Sequence, residues 1–133
     1  MRYLLDTSTC VAVLRGKGSV GQRLSEKAPS DTAVSAMTVA ELWHGVLRSR
    51  DPARTGVEVR AFLSPIDVLP FDQSEAYAHA RIRRDLEERG VPIGERDLVI
   101  ASTAWVKELI VVTNNTREFR RIAGLGVEDW SVT

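Results

Sequence analysis

The sequence lacks features that mark several classes of protein. It has one cysteine, Cys10, so a disulfide framework within the chain is excluded, which suits a reducing cytosol. No run reaches the ~18 apolar residues that a membrane helix needs, and the first residues show no apolar signal segment. These absences predict a cytoplasmic protein with no membrane association.

Net charge of one sign is also missing, because 18 Lys and Arg residues balance 18 Asp and Glu residues. This balance argues against nucleic-acid binding driven by overall charge. Lysine is scarce, so almost all the positive charge is arginine, whose planar group binds phosphate oxygens in pairs. With 44% hydrophobic and 27% charged residues, the 133-residue chain is predicted to form one globular domain over residues 1–133.

Short apolar runs alternate with segments of helical periodicity. The runs at residues 3–5, 33–35, 66–69 and 109–113 predict strands, and residues 127–130 predict an edge strand. The predicted helices cover residues 8–16, 19–27, 39 onwards, 52–64, 74–89 and 98–108, with a short one beginning near 116. Alternation of this kind predicts an α/β fold with a parallel sheet covered by helices on both faces.

Acidic residues follow or approach the predicted strand ends, where ligands bind in such sheets. Asp6 comes directly after the first strand, Glu41 shortly after the second, and Asp97 at the start of the helix before the central strand. Each has a structural explanation: Asp6 as a helix cap, Glu41 in a capping box with Thr38, and Asp97 as a favourable first-turn acid. Together they predict carboxylates converging on one edge of the sheet.

Converging carboxylates repel one another, and a shared cation relieves that repulsion. A set of carboxylates without paired His or Cys selects Mg²⁺ or Mn²⁺ rather than Zn²⁺, and the two histidines, His44 and His79, have no zinc spacing. Such an ion activates water, so no protein nucleophile is required and no nucleophile motif is present. The pattern therefore predicts metal-assisted phosphodiester hydrolysis.

Four segments resemble PIN-domain ribonucleases, and more narrowly VapC toxins of type II toxin–antitoxin systems, in order and spacing. They read YLLDTS at 3–8, TVAEL at 38–42, IGERDLVIA at 93–101 and VTNNTREF at 112–119. The resemblance extends to the closing residues 125–130. It implies a three-layer α/β/α fold with a central, mainly parallel sheet.

The same resemblance implies a Mg²⁺ or Mn²⁺ site formed by Asp6, Glu41 and Asp97. The family's fourth acid comes from the segment after the central strand, where this chain has Asn115 instead of the frequent Asp. Either Asn115 acts as a neutral ligand or water-positioning group, or Glu118 reaches the site from the next helical turn. Glu118 is preferred as the fourth catalytic residue, because a VapC subgroup carries the same NNTREF run.

Further expectations follow from this subgroup, which is similar to VapC toxins that cut initiator tRNA in the anticodon loop. Ser8, Thr113 and Asn115 are expected to support the acidic residues. A VapB antitoxin, a tRNA substrate and a homodimer are implied as partners. Trp43 belongs either to the core, the preferred interpretation, or to the groove that receives the antitoxin.

Other functions are compatible with single features of the sequence. The run at residues 16–21 matches the dinucleotide-binding pattern G-x-G-x-x-G, but no strand precedes it, so a helix–helix turn is expected. A haloacid-dehalogenase-like phosphatase would need a second acid where this chain has Ser8, and a receiver domain would need paired acids and a late Lys. A catalytically weak PIN-like module that binds RNA or protein stays open because of Asn115.

Overall fold

A computed structural model describes residues 1–132 and places five short strands in one sheet. The spatial order is β3-β2-β1-β4-β5, and every neighbouring pair is parallel. This arrangement confirms the predicted parallel sheet. The strands are β1 (Tyr3–Leu5), β2 (Thr32–Ser35), β3 (Asp67–Leu69), β4 (Ile110–Val112) and β5 (Gly126–Glu128).

Seven helices cover the sheet, and within residues 1–132 none is long and apolar enough to cross a membrane. A short 3-10 turn, Pro29–Asp31, leads into β2. The bounds lie within a few residues of those predicted from periodicity. The helices are α1 (Thr7–Leu14), α2 (Val20–Ser25), α3 (Ala36–Arg48), α4 (Pro52–Leu63), α5 (Gln73–Glu88), α6 (Glu95–Lys107) and α7 (Thr116–Phe119).

Two apolar cores lie on opposite faces of the sheet, because successive side chains of a strand point to opposite sides. In β1, Leu4 packs in the core formed with α5, α6 and α7, whereas Tyr3 and Leu5 pack in the core formed with α1 to α4. Cys10 is fully buried in the second core. The three-layer α/β/α architecture is thus confirmed.

The predicted capping box, with Thr38 as the cap, would start helix α3 at residue 39, but α3 starts at Ala36. Ser35 is the cap, and its hydroxyl accepts a hydrogen bond of 3.1 Å from the backbone N–H of Thr38. Glu41 therefore lies in the second turn of α3 rather than at the third helical position, and the capping-box explanation for this acid is wrong. Leu47, near the end of α3, is 74% exposed.

The glycine-rich run at residues 16–21 forms the turn between α1 and α2. Gly16 and Gly18 both have φ of +65°, a left-handed conformation that a Cβ atom disfavours. No strand precedes this turn, because the chain from Thr7 to Leu14 is helical. The expected helix–helix turn is confirmed, and the dinucleotide-binding interpretation lacks its structural context.

Candidate active site

Asp6 lies where β1 ends and caps α1. Its Oδ1 accepts hydrogen bonds of 2.8 Å from the backbone N–H of Thr9 and from the hydroxyl of Ser8, and Thr113 adds a side-chain hydrogen bond. Despite these donors, burial raises the pKa of Asp6, which is only 3% exposed. The capping explanation is therefore correct but incomplete, since a capping acid on the surface would keep more contact with water.

Asp97 lies in the first turn of α6, next to the same strand ends. The pKa of Asp97 is raised to about 6, mainly by burial and next by the negative charge of Asp6, with smaller contributions from Glu118 and Glu41. A hydrogen bond from Asn115 opposes this rise. The four acids therefore share one electrostatic environment at the carboxyl edge of the sheet, as predicted.

Asn115 links two of these acids. Its Nδ2 donates to Asp97 Oδ2 at 3.2 Å and to Glu118 Oε2 at 2.7 Å. The backbone N–H of Asn115 donates to the hydroxyl of Thr113 at 2.8 Å, so the loop after β4 is connected to the residue that contacts Asp6. The structure thus brings both Asn115 and Glu118 to the site, although the sequence presented them as alternatives.

Glu41 is held from two sides by residues that the sequence did not single out. The hydroxyl of Thr7 donates to Glu41 Oε1 at 2.6 Å, and Arg96 Nη1 lies 3.5 Å from Glu41 Oε2. These partners are 34 and 55 residues away in the chain. In the sequence, Thr7 directly follows Asp6 and Arg96 directly precedes Asp97. This adjacency to predicted site acids was the signal that could have indicated both residues.

Within the described residues, no three His, Cys, Asp or Glu side chains are placed to hold one metal ion together. Hydrogen bonds to Thr7 and Asn115 hold Glu41, Asp97 and Glu118 in separate orientations. The donor set itself fits a hard divalent cation, because it consists of carboxylate oxygens, two of them with pKa raised by burial. Binding one ion at several of these acids would require side-chain rotations.

A groove of about 720 Å³ runs from this site between α1, α3 and α4. Thr7, Glu41 and Arg96 line the end near the acidic residues. The remaining lining is mixed, with apolar side chains such as Leu14 and Val46 and polar ones such as His44 and Arg48. Trp43 is not among the lining residues and packs against the core under α3, which confirms the preferred interpretation of this residue.

Fold and site together define a class: a parallel α/β protein whose carboxylates gather at the carboxyl ends of the central strands. The sequence model described as PIN domain matches residues 3–125. The chain therefore belongs to the PIN-domain family. Nucleases of this family generally depend on divalent metal ions.

Particular members of the family are similar over nearly the whole chain. The tRNA(fMet)-specific endonuclease VapC of Shigella flexneri is 39% identical and the match covers 98% of this chain and 99% of the relative. The protein of the same name from Salmonella typhimurium is 36% identical, covering 98% of each. A crystal structure of DNA-bound VapBC from Salmonella typhimurium superposes with a TM-score of 0.91 at 36% identity, covering 98% of both chains.

Proposed function

We propose that this protein is the toxin of a type II toxin–antitoxin system, an endoribonuclease that uses Mg²⁺ or Mn²⁺ to hydrolyse phosphodiester bonds of tRNA. The observation that carries the proposal is the convergence of carboxylates at the carboxyl edge of the sheet, where Asp97 lies close enough to Asp6, Glu118 and Glu41 for their charges to raise its pKa. The names of the similar VapC proteins support RNA cleavage and tRNA as the substrate class. The active chain acts as one domain over residues 1–133, in the cytoplasm.

Asp6, Glu41 and Asp97 are the proposed metal ligands. Asp6 is held by three neighbours and Glu41 by Thr7, and side-chain rotation from these orientations would bring the carboxylates to a shared ion. A bound divalent cation would stabilise negative charge on the phosphate and lower the pKa of water. The raised pKa of Asp97 and Asp6 favours a cation, because a nearby positive charge restores the ionised form of both acids.

Glu118 and Asn115 have complementary roles in the proposal. Asn115 holds one oxygen of Glu118, Oε2, at 2.7 Å, so the second oxygen is left to accept a proton from the attacking water. Asn115 also orients Asp97 through the 3.2 Å hydrogen bond. The neutral amide therefore serves as a positioning group, and Ser8 and Thr113 serve Asp6 in the same way.

A VapB-type antitoxin is the proposed partner, and the groove beside Glu41 is the proposed place for one of its segments. The groove offers an apolar floor and reaches the acidic site at Glu41 and Arg96, so a segment lying in it would exclude RNA. The Salmonella typhimurium neighbour is a VapBC assembly, which supports a partner of this type. A homodimer is proposed on the family resemblance alone.

Incubation of the purified chain with total tRNA tests the enzymatic proposal. Cleavage is expected with Mg²⁺ or Mn²⁺, and EDTA, Asp6→Ala and Asp97→Ala are each expected to abolish it. Cleavage that survives EDTA, or both substitutions, would contradict a metal-dependent site. Binding of tRNA without any cleavage would instead favour the weakly catalytic binding module.

A further inference from the structure

Arg96 is the exposed cation at the rim of the acidic site. It precedes Asp97 in the first turn of α6, and its Nη1 lies 3.5 Å from Glu41 Oε2. We propose that Arg96 occupies Glu41 in place of the cation when no metal is bound, and turns to a phosphate of the RNA once the metal takes Glu41. This inference rests on the proposed function and assigns to Arg96 a positioning role in metal uptake and a binding role toward RNA.

The two partners of this ion pair differ in freedom of movement. The side chain of Glu41 is 21% exposed and is fixed through Oε1 by the 2.6 Å hydrogen bond from Thr7. The side chain of Arg96 is 70% exposed and contacts Glu41 at the long end of hydrogen-bonding distance. When a metal ion competes for Glu41, Arg96 is therefore the partner that moves.

The pair is weak enough to be displaced. Exposed ion pairs contribute little because water and salt screen them and long side chains lose freedom. A divalent cation at the same carboxylate carries twice the charge and also interacts with Asp6 and Asp97. Arg96 therefore lowers the affinity for metal modestly, without blocking the site.

Displacement leaves the guanidinium group beside the metal site rather than in open solvent. The backbone of Arg96 is fixed one residue before Asp97, so its side chain stays near any phosphate that reaches the acidic residues. A guanidinium group binds two phosphate oxygens at once. The arginine proposed to pair with Glu41 when no metal is bound is thus available to bind a phosphate of the RNA once the metal is bound.

The other arginine–carboxylate pairs provide the contrast. Among residues 1–132, each of them joins two residues of a single helix or its cap, as in Arg54–Glu58 and Arg84–Glu88. The Arg96–Glu41 pair instead joins α6 to α3 across the acidic site. Helix stabilisation therefore explains the other pairs but not this one.

Titration of the full chain with Mn²⁺ in the absence of RNA, with the heat of binding measured by calorimetry, tests the proposed competition between Arg96 and the metal for Glu41. Arg96→Gln is expected to bind Mn²⁺ about two- to fivefold more tightly than the wild type, since a weak competing ion pair is removed. Arg96→Lys keeps the charge and is expected to stay within about twofold of the wild type. Unchanged affinity in Arg96→Gln overturns this half.

Arg117→Gln is the matched control, because it removes one positive charge next to Glu118, and Arg117 forms no ion pair within the described residues. Its Mn²⁺ affinity is expected to change less than that of Arg96→Gln. An equal change in both variants would mean that any positive charge near the site lowers the Mn²⁺ affinity, without need of the contact with Glu41, and would overturn the proposal. Thermal unfolding of each variant shows that the fold is retained.

Cleavage kinetics at saturating Mn²⁺ test the second half. Arg96→Gln is expected to raise the KM for tRNA about five- to tenfold with a smaller change in kcat, and Arg96→Lys to recover most of the loss. An unchanged KM overturns phosphate binding by Arg96. If the wild type cleaves no RNA, the proposed function fails, and the Mn²⁺ titration together with direct tRNA affinity still decides the role of Arg96.

Discussion

Two groups of acidic side chains in this protein are balanced in opposite ways. On α5, acids near the carboxyl end each have an arginine four residues away, with nitrogen–oxygen distances between 2.7 and 3.3 Å. All of these side chains are substantially exposed, so the pairs sit in water and stabilise the helix by small amounts. The pairs are Arg83–Glu87, Arg84–Glu88 and Asp85–Arg89.

At the carboxyl edge of the sheet the acids have mainly neutral partners. Hydroxyl, amide and backbone N–H groups orient Asp6, Glu41, Asp97 and Glu118, and Arg96 is their one cationic contact within the described residues. Neutral donors fix the direction of a carboxylate without cancelling its charge. The comparison teaches that acids serving helix stability receive a cation from their own helix, whereas the sheet-edge acids are oriented without being neutralised, as the proposed metal site requires.

The largest expected difference between the two groups is in catalysis. Asp6→Asn keeps a side chain that caps α1 well but removes the negative charge, so tRNA cleavage is expected to fall by about 10²-fold or more. Asp85→Asn on α5 is the matched change and is expected to leave the rate within about twofold. Initial rates at saturating Mg²⁺ measure both effects, with circular dichroism to show that each variant is folded. Asp6→Asn with more than a tenth of wild-type activity would remove the distinction between the groups.

Metal binding should also separate the two groups through stability. Free Mn²⁺ at about 100 times its Kd is expected to stabilise the wild type by ~2.7 kcal/mol, because the ion binds only the folded chain. Asp97→Asn should lose most of this stabilisation and Asp85→Asn should keep it. Urea unfolding with Mn²⁺ and with EDTA measures the difference. Equal stabilisation of both variants would place the metal site elsewhere.

The two groups should respond differently to pH when no metal is present. Burial raises the pKa of Asp97 from 3.8 to about 6, so the folded state binds a proton more tightly than the unfolded state does. Its contribution to stability is therefore fully present below pH 4 and is lost as the pH rises through about 6. Each pKa unit corresponds to ~1.4 kcal/mol, and solvent screening of this partly exposed group reduces the expected loss to about 1 kcal/mol.

Asp97→Asn isolates this effect, because other titrating groups are the same in both proteins. In metal-free urea unfolding, the stability of the wild type relative to Asp97→Asn is expected to fall between pH 4 and pH 7. A constant difference across this range would show that Asp97 is ionised as readily as an acid in water. Asp85→Asn should give a flat difference relative to the wild type.

Local sequence predicted the parts of the site that depend on strand ends. Asp6 was placed correctly because it directly follows a short apolar run. Asp97 was placed correctly because it comes at the start of a segment with helical periodicity that leads into the next strand. The strand order itself required the structure: β1 rather than β4 (the predicted central strand at 109–113) lies at the centre of the sheet, and the two pair although they are about 100 residues apart.

Glu41 shows why the parts of the site that depend on contacts between distant segments were not predictable. Ser35 and Thr38 both fit a helix cap by residue type, and the Thr38–Glu41 spacing favoured the wrong one. Tertiary contacts decide which of the two residues caps the helix. Thr38 is fully buried, and the hydroxyl of Thr7, on α1, donates a hydrogen bond to the carboxylate of Glu41. Although Thr7 and Arg96 are adjacent to Asp6 and Asp97 in the sequence, spacing along the chain carries no signal for their contacts with Glu41 over 34 and 55 residues, so both were missed.

The smallest expected effect is at the α5 pairs themselves. Arg84→Gln removes one partner of the 3.0 Å pair with Glu88, whose side chains are 71% and 58% exposed. The expected cost in the free energy of unfolding is at most ~0.5 kcal/mol, because the carboxylate left behind remains solvated. Urea unfolding at low salt measures it, and Mn²⁺ affinity should be unchanged. A loss above about 1 kcal/mol, well beyond exposed helix pairs, would mean that α5 uses its charges for more than local stability, and the contrast with the sheet edge would then rest on Asp97 and its neighbours alone.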